Sequence, residues 1–316
     1  MKELTAGKND AGRRLDRFLM KAFPLTAGVV MKALRNKKIK VNGGRAKAAY
    51  KLAENDVVRI FLGDGFLSET PRAISLDEIP SELSVIYEDE NILLADKPAG
   101  LLCHEGGGNS PPDTLINRVK AYLYKKGEFI PENENGFEPA LCNRLDRNTR
   151  GVVIAAKTAE ALRVLNEKIK RREIKKLYLC ILTGVPKEKA ATLTAYLEKD
   201  GASNTVKISG KKTPQNKTIV TSYRVIGERG GMALAEIDLV TGRTHQIRAH
   251  MAHIGHPLLG DGKYGRLTGK GAGFKNQALC GYKIIFTFKE SCSLDYLNGR
   301  SFEADKTWLL GKFNGL

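Results

Sequence analysis

The sequence CNRLDRNTRGVVIAAKT, from Cys142 to Thr158, joins a strongly charged run to a short apolar segment. The apolar segment 151–156 consists of small and β-branched residues, which predicts a buried β-strand. The charged run before it sets one carboxylate among three guanidiniums: Asp146 among Arg144, Arg147 and Arg150. An ordinary ion pair needs one arginine, so the surplus of arginine requires another explanation.

Asp146 is a candidate nucleophile. An aspartate is normally ionised at neutral pH and needs no arginine to deprotonate it. Neighbouring guanidiniums would instead orient the carboxylate and attract a phosphate-bearing substrate. The sequence places no second acid beside Asp146 and shows no evident Ser–His or Cys–His pair. The residues alone leave two interpretations open: a single anionic nucleophile backed by a rigid strand, or an aspartate that serves only a turn.

The composition is that of a folded protein with a polyanionic partner. The chain has 316 residues, of which 42% are hydrophobic and 28% charged, and a net charge of +17. This length accommodates two domains with full cores. The chain has no apolar run of the roughly 20 residues that span a membrane, and its start lacks the apolar core of a secretory signal, so we expect a cytoplasmic protein. Its five cysteines have no paired spacing, which predicts reduced thiols and no zinc ribbon.

The positive charge is concentrated at the amino end of the chain. Residues 1–62 contain 15 Lys and Arg against 5 Asp and Glu, and residues 32–51 contain eight basic residues and no acid. Because neutralising phosphates releases counterions, a polyanion such as RNA is the natural partner of this region. A solvated, solubilising surface is the alternative.

Residues 1–62 also have the pattern of a small folded module. Apolar residues at helical spacing predict two short helices, and IKVNGG and DVVRIFL predict strands. The segments RLDRFL, LRNKKIKVNG and YKLAENDVV resemble the small RNA-binding domain of the ribosomal-protein-S-four type. The resemblance implies RNA contacts from four cations: Arg35, Lys37, Lys38 and Lys40.

The composition changes after Leu62. Residues 63–84 contain five acids, one arginine, two prolines and two glycines, which predicts an acidic linker. Residues 85–316 then form the second predicted domain. The segments that predict its strands are VIYED, ILLADKP, GVVIAAK, LYLCIL, TIVTSYRVI, ALAEIDLV and KIIFTF, and those that predict helices are DTLINRVKAYLYK, AEALRVLNEKIKRREI and THQIRAHMAHIG. This order predicts an α+β fold around a mixed, mostly antiparallel sheet.

Several other chemistries find no support in the sequence. No glycine-rich fingerprint for a dinucleotide and no phosphate-binding loop is present. Four histidines fall within twelve residues, but zinc sites usually combine histidine with cysteine or a carboxylate, so packing or RNA contact explains them better: His245, His250, His253 and His256. We therefore expect neither a metal nor an organic cofactor.

Four segments of residues 85–316 together resemble the RluA family of pseudouridine synthases. They are ADKPAGLLCH, NRLDRNTRGVV, LYLCILTG and TGRTHQIRAHMAHIGHPLLGDGKYG. With its amino-terminal module, the chain is more similar to the branch that contains RluC and RluD than to the short members. The resemblance implies an isomerase that converts specific uridines of RNA, above all of large-subunit ribosomal RNA, to pseudouridine, and that acts as a monomer.

The resemblance also implies a role for each site residue. Asp146 is the nucleophile, and Tyr178 lies against the uracil and takes part in deprotonating carbon 5. Arg248 pairs with Asp146, with Arg243 as the other candidate for that position. Arg144 fills the space left when the uridine leaves its stack.

The chain departs from the family pattern at two positions and leaves two other functions open. Asn143 stands where histidine is usual, and Arg150 stands where serine or glycine is common. Asn143 can still make hydrogen bonds, and Arg150 either contacts the substrate or points into solvent. The rival functions are a catalytically inactive RNA-binding or ribosome-assembly protein and an RNA methyltransferase, although no cofactor pocket for the second is evident.

Overall fold

The computed structural model describes residues 1–23, 25–63, 75–106, 112–200, 205–265 and 274–316. These residues form six α-helices and two β-sheets. The helices are α1 (Leu15–Ala22), α2 (Ala27–Arg35), α3 (Leu115–Lys125), α4 (Ala159–Lys170), α5 (Gln246–His253) and α6 (Thr307–Asn314).

The first sheet is small and antiparallel. Its strands are β1 (Lys2–Thr5), β2 (Ile39–Val41), β3 (Gly44–Arg45) and β4 (Val57–Ile60), arranged in the order β1–β4–β2–β3. Leu15, Phe18 and Leu19 of α1 are fully buried in its core, as their spacing predicts. β1 was absent from the sequence-based prediction, because its residues alternate between exposed and half-buried.

The second sheet has eleven strands. They are β5 (Val85–Glu88), β6 (Ile92–Lys97), β7 (Ala140–Leu141), β8 (Arg150–Ala156), β9 (Ile174–Thr183), β10 (Ala190–Asp200), β11 (Thr205–Ser209), β12 (Lys217–Arg229), β13 (Met232–Asp238), β14 (Leu279–Phe286) and β15 (Ser301–Glu303). The main order is β11–β10–β12–β13–β9–β14–β8–β6–β5, with β15 beside β14 and β7 beside β8. The β8–β14 pair is parallel and the other pairs are antiparallel. The predicted α+β fold with a mixed, mostly antiparallel sheet is confirmed.

Two threonines begin the helices that flank the central strands. Thr158 accepts a hydrogen bond from the Ala161 backbone N–H at 3.1 Å and so caps α4. Thr114 caps α3 through the Asn117 N–H at 3.4 Å. The apolar residues of β6 and β8 are buried on both faces because helices and loops cover this part of the sheet.

Two glycines face each other where β8 and β14 run parallel. Gly151 pairs with Gly281, and Gly151 has a φ of +139°. A Cβ at Gly151 would lie 2.2 Å from the Gly281 carbonyl oxygen, far inside van der Waals contact. Only glycine fits this crossing, which lies at the start of the strand that follows Asp146.

The amino-terminal sheet contacts the rest of the chain through polar groups. The Asn9 side chain donates to Glu134 at 2.8 Å and accepts from the Ala159 N–H, at the start of α4, at 3.1 Å. Asn135 donates to Asp10 at 2.9 Å and to the Thr5 carbonyl at 2.7 Å. The module is therefore docked against α4 and the segment around residue 135.

The predicted linker 63–84 lies partly outside the described residues, which omit 64–74. Its second half packs against the large domain, where Ile79 is buried and Leu76 and Leu83 contact the core. Ser81 accepts a hydrogen bond from Lys125 of α3 at 2.9 Å. In the part of the chain that the structure describes, no helix is long and apolar enough to cross a membrane.

Candidate active site

Asp146 lies in a turn directly before β8. The Thr149 N–H donates to the Asp146 carbonyl at 3.0 Å, which closes the turn. On the other side, the Leu145 N–H donates to the Cys103 thiol sulfur at 3.3 Å, so the neighbouring residue is also held. The Asp146 side chain is 25% exposed and therefore accessible to a substrate. The turn and the nucleophile interpretations of Asp146 are compatible.

Arg248 donates to the Asp146 carboxylate and is itself held in place by Asp261. Its Nη1 donates to Asp146 Oδ2 at 2.9 Å, while its Nε and Nη2 donate to the two oxygens of Asp261 at 2.7 and 2.9 Å. Burial raises the pKa of the Asp261 carboxyl, but the Arg248 partner outweighs it and holds that pKa below its usual value. The buried bidentate pair with Asp261 thus leaves Nη1 of Arg248 to donate to Asp146.

Two of the three arginines near Asp146 in sequence bind other groups. Arg147 donates to the Gly100 carbonyl at 3.1 Å, and Arg150 pairs with Asp96 at 2.7 Å. Arg144 is exposed. The expectation that these guanidiniums orient the carboxylate is wrong for Arg147 and Arg150, because both bind other groups and Arg248 donates to the carboxylate instead. Arg150 does not point freely into solvent, since its guanidinium also lies 3.3 Å from Asp305, and a substrate contact from it stays a prediction.

Tyr178 lies on β9 and is buried. Burial first, and the negative charge of Asp146 second, raise the pKa of its hydroxyl well above the usual value. Its ring packs on Gly281, where a Cβ would lie 3.1 Å from the ring carbon Cε1. The same glycine pair that brings β8 against β14 therefore leaves room for this tyrosine beside Asp146.

Lys97 binds backbone carbonyls of two loops of the site. Its ammonium donates to the carbonyls of Pro98, Leu101 and Arg147 at 2.9, 2.8 and 3.0 Å. Burial lowers the pKa of Lys97 to about 8. Lys97 lies in the segment ADKPAGLLCH, but its role was not predicted, because a fully buried lysine is rare and sequence does not show which lysine it is.

Asn143 makes backbone contacts to β8. Its side-chain oxygen accepts from the Ile154 N–H at 2.8 Å, and its amide donates to the Val152 carbonyl at 3.2 Å. The Asn143 side chain thus makes the two hydrogen bonds that a neighbouring strand would make. These contacts need no titrating group at this position.

The predicted basic residues occupy surface positions. Arg243 is exposed, and its backbone N–H donates to Gln246 at 3.1 Å. The position opposite Asp146 belongs to Arg248, and Arg243 is not its partner. In the amino-terminal module, Arg35, Lys37 and Lys38 are exposed and Lys40 is half-buried.

The four clustered histidines have separate environments. His250 contacts the Thr221 hydroxyl at 3.0 Å, and burial lowers the pKa of its imidazole to about 4. His256 contacts the Thr183 carbonyl at 3.2 Å, and His253 is exposed. His245 faces Asp146 at 3.8 Å. Among the described residues, no three His, Cys, Asp or Glu side chains lie close enough to hold a metal ion.

Comparison with known proteins adds independent information. Residues 91–253 match the family model described as RNA pseudouridylate synthase. A Mycoplasma genitalium protein called an uncharacterized RNA pseudouridine synthase is 32% identical over 98% of this chain and 96% of its own length. A Pasteurella multocida protein named ribosomal large subunit pseudouridine synthase C is 31% identical over 84% of this chain and 78% of its own.

The fold is also similar to a solved structure. Human RNA pseudouridylate synthase domain containing 4 aligns with a TM-score of 0.57 at 19% identity, over 73% of this chain and 93% of the human chain. At this identity the likeness concerns the fold alone.

Proposed function

The chain belongs to the RNA pseudouridylate synthase family, and from that membership we propose which residues catalyse the reaction and which RNA they act on. Members of this family are isomerases that convert uridine in RNA to pseudouridine, and that activity is the function of this chain. The predicted family and enzyme class are confirmed.

Asp146 is the nucleophile in this proposal. The observation that supports it most strongly is the carboxylate's position: partly exposed, directly before a buried strand, and held by an arginine whose other nitrogens bind Asp261. Such support fixes the carboxylate without covering it. A preorganised anion is what a nucleophilic step on a neutral uridine requires.

The covalent link to Asp146 holds the reacting nucleotide in the site while its bonds change. Asp146 bonds to the uridine, the bond between N1 and the ribose carbon breaks, and the uracil turns. Carbon 5 then bonds to the ribose carbon and loses its proton, and the carboxylate is released. The nucleophile's attack on either the base or the ribose is compatible with this sequence of steps.

Tyr178 lies against the uracil in this scheme. Its raised pKa means that the phenol is neutral in the resting enzyme. Burial is the largest cause of that shift, and bond formation at Asp146 removes the second, which is the carboxylate's negative charge. The phenol must give its own proton to a base before it can accept the proton of carbon 5, and loss of the charge on Asp146 makes this ionisation easier.

The substrate in this proposal is large-subunit ribosomal RNA. The name of the Pasteurella multocida relative supports this choice, as does the net charge of +17. Residues 1–62 bind RNA through Arg35, Lys37, Lys38 and Lys40, residues 85–316 catalyse, and Arg243 and Arg144 contact the target strand. The family resemblance supports a monomer, and ribosomal RNA as substrate supports a cytoplasmic location.

The test of the nucleophile is Asp146→Asn. The amide keeps the volume and can still contact Arg248, but it cannot form the covalent link, so we expect no turnover and nearly unchanged RNA affinity. Pseudouridine formation is measured by site-resolved mapping in ribosomal RNA, and affinity by filter binding. Substantial turnover by the purified variant would end the assignment, and a deletion strain with normal ribosomal RNA would contradict the substrate.

A further inference from the structure

A histidine that the proposed mechanism does not use lies beside Asp146. His245 Nε2 is 3.8 Å from Asp146 Oδ2, and Nδ1 is 2.9 Å from the Tyr264 hydroxyl. Its side chain is only 10% exposed. The distance of 3.8 Å is too long for a hydrogen bond, so Nε2 lies next to the Asp146 carboxylate but is not hydrogen-bonded to it.

The backbone at His245 is strained. Its φ is +52°, in the left-handed region, at the residue directly before α5. For a residue other than glycine this conformation costs about 1–2 kcal/mol. Such strain persists where surrounding contacts hold it, and here it turns the imidazole towards Tyr264 and Asp146.

The hydrogen bonds around Tyr264 determine which imidazole nitrogen carries the proton. The Tyr264 oxygen already accepts from the Val206 backbone N–H at 2.9 Å, so its own hydrogen is available for His245 Nδ1. A neutral imidazole that accepts at Nδ1 carries its hydrogen on Nε2. The other tautomer would set the Nε2 lone pair against the oxygens of Asp146, which is unfavourable.

Burial, more than the surrounding charges, keeps the ring of His245 neutral at pH 7. Burial is the largest effect and lowers its pKa, and Arg248 and Lys263 lower it further. Asp146 and Asp261 act in the opposite direction but do not outweigh the others. Because the pKa lies below the ordinary value near 6.5, the neutral form predominates at neutral pH.

We propose that His245 donates a hydrogen bond from Nε2 to the uridine as it reacts with Asp146, and that Tyr264 is the positioning residue that selects this tautomer. This inference rests on Asp146 being the nucleophile. Tyr264 also packs against Arg248, with the guanidinium carbon 5.3 Å from the ring centroid. One tyrosine therefore supports both the partner of the carboxylate and the neighbouring donor.

The donor matches the charge that the reaction develops. Attack on the base moves an electron pair onto the uracil carbonyl oxygens, and cleavage of the bond between N1 and the ribose leaves its electron pair on the uracil. In both cases negative charge accumulates on the uracil, beside Asp146. A fixed N–H aimed at such charge stabilises it more in the transition state than in the substrate, without a proton being transferred.

The test separates the donor from the backbone conformation. His245→Asn tolerates a positive φ but is too short to replace Nε2, whereas His245→Gln extends an N–H to that position. We expect single-turnover rates about 100-fold lower for His245→Asn and within about tenfold of wild type for His245→Gln. His253→Gln, at the exposed end of α5, is the control and keeps the wild-type rate.

Acidic pH gives a second measurement. Protonated His245 would pair with Asp146 and weaken the nucleophile, so the wild-type rate falls as pH drops through the His245 pKa. His245→Gln cannot titrate and lacks this decrease. In addition, ¹H–¹⁵N NMR of the imidazole should show the Nε2–H tautomer in wild type and a mixture of tautomers in Tyr264→Phe.

Three results would overturn the proposal: a His245→Asn rate within twofold of wild type, a His245→Gln rate as low as that of His245→Asn, or an Nδ1–H tautomer by NMR. Asp146→Asn is assayed in parallel. If Asp146→Asn remains active, the nucleophile assignment fails, whereas wild-type rates in the His245 variants beside an inactive Asp146→Asn contradict the histidine alone.

Discussion

Lys97 shows how a single buried charge organises the site. It holds the carbonyls of Pro98, Leu101 and Arg147 in one cluster, and Arg147 follows Asp146 directly. Removing the ammonium would leave three carbonyls without their donor, each at a cost of about 1–3 kcal/mol where buried. The lysine therefore keeps the turn of Asp146 against the loop after β6.

We expect Lys97→Met to lower the free energy of unfolding at pH 7 by about 3 kcal/mol and to reduce activity, because the loop loses its anchor. The pH dependence identifies the cause. The folded pKa of about 8 lies below the unfolded value near 10.5, so between these values the unfolded chain binds more protons and wild-type stability rises with pH.

Relative to Lys97→Met, wild type should therefore gain up to about 3 kcal/mol as pH increases from 8 to 10.5. Urea unfolding at a series of pH values measures this gap. Lys170→Met, at an exposed position, should show no such widening. A constant difference between wild type and Lys97→Met across the series would mean that Lys97 titrates normally in the folded protein.

For single residues, the sequence indicates well which residue types are important. It indicates less well which groups their side chains contact. The pairing of Arg248 with Asp146 follows the family resemblance, whereas Arg150 turns to Asp96. Asp261 was not predicted, although GDGKYG places it in the same segment as Arg248. Its role depends on α5 folding back towards the following loop, and no local spacing encodes that contact.

Among the elements, the parallel crossing of β8 and β14 depends on its two glycines. An alanine at Gly151 would place its Cβ in steric overlap with the Gly281 backbone and would have to adopt a φ of +139°. We expect Gly151→Ala to lower the free energy of unfolding by about 3–5 kcal/mol, since overpacking and backbone strain add.

Gly299→Ala is the matched control for this substitution. Gly299 has a φ of +79°, but a Cβ there meets nothing within 4 Å. Gly299→Ala should therefore lower the free energy of unfolding only by the cost of the left-handed backbone conformation, about 1 kcal/mol, in the same urea titration. Equal losses in the two variants would show that the close approach of β8 and β14 relaxes easily.

The most apolar strands are among those that the sequence predicted correctly. β6 begins with the apolar run ILLA and β8 contains GVVIAA, and both appear as predicted. β10 and β11 were missed. They lie at one end of the large sheet, with β11 at its edge and β10 between β11 and β12, and β10 has only two buried residues and few large apolar side chains. Such strands are specified by the strands they pair with more than by their own composition.

In the whole molecule, positive charge on the amino-terminal module is expected to anchor RNA. We predict that changing Arg35, Lys37, Lys38 and Lys40 to Gln weakens binding and flattens its salt dependence. Each lost phosphate contact lowers the log–log slope by about 0.7 to 0.9, so four contacts would lower it by about 3. Single-turnover rates at saturating RNA should change little, because Asp146 and Arg248 lie in the other sheet's domain.

The control removes the same charge from a different surface. One arginine and three lysines are again changed to Gln: Lys170, Arg172, Lys175 and Lys289, which are all exposed. Affinity is measured across a salt series for both proteins. An identical slope change in the two variants would show that overall charge, and not the module's surface, governs RNA binding.

The contacts of Asn9 and Asn135 have a consequence for target choice. A module joined only by a loose tether would accept any RNA that brings both surfaces within reach. In the proposed complex, the module is docked against α4 and holds its RNA segment at a fixed distance from the uridine that enters the site. An RNA with the matching span binds without bending, whereas a transcript one helical turn longer or shorter has to deform. Selection of the uridine would then depend on the architecture of the RNA as much as on its local sequence.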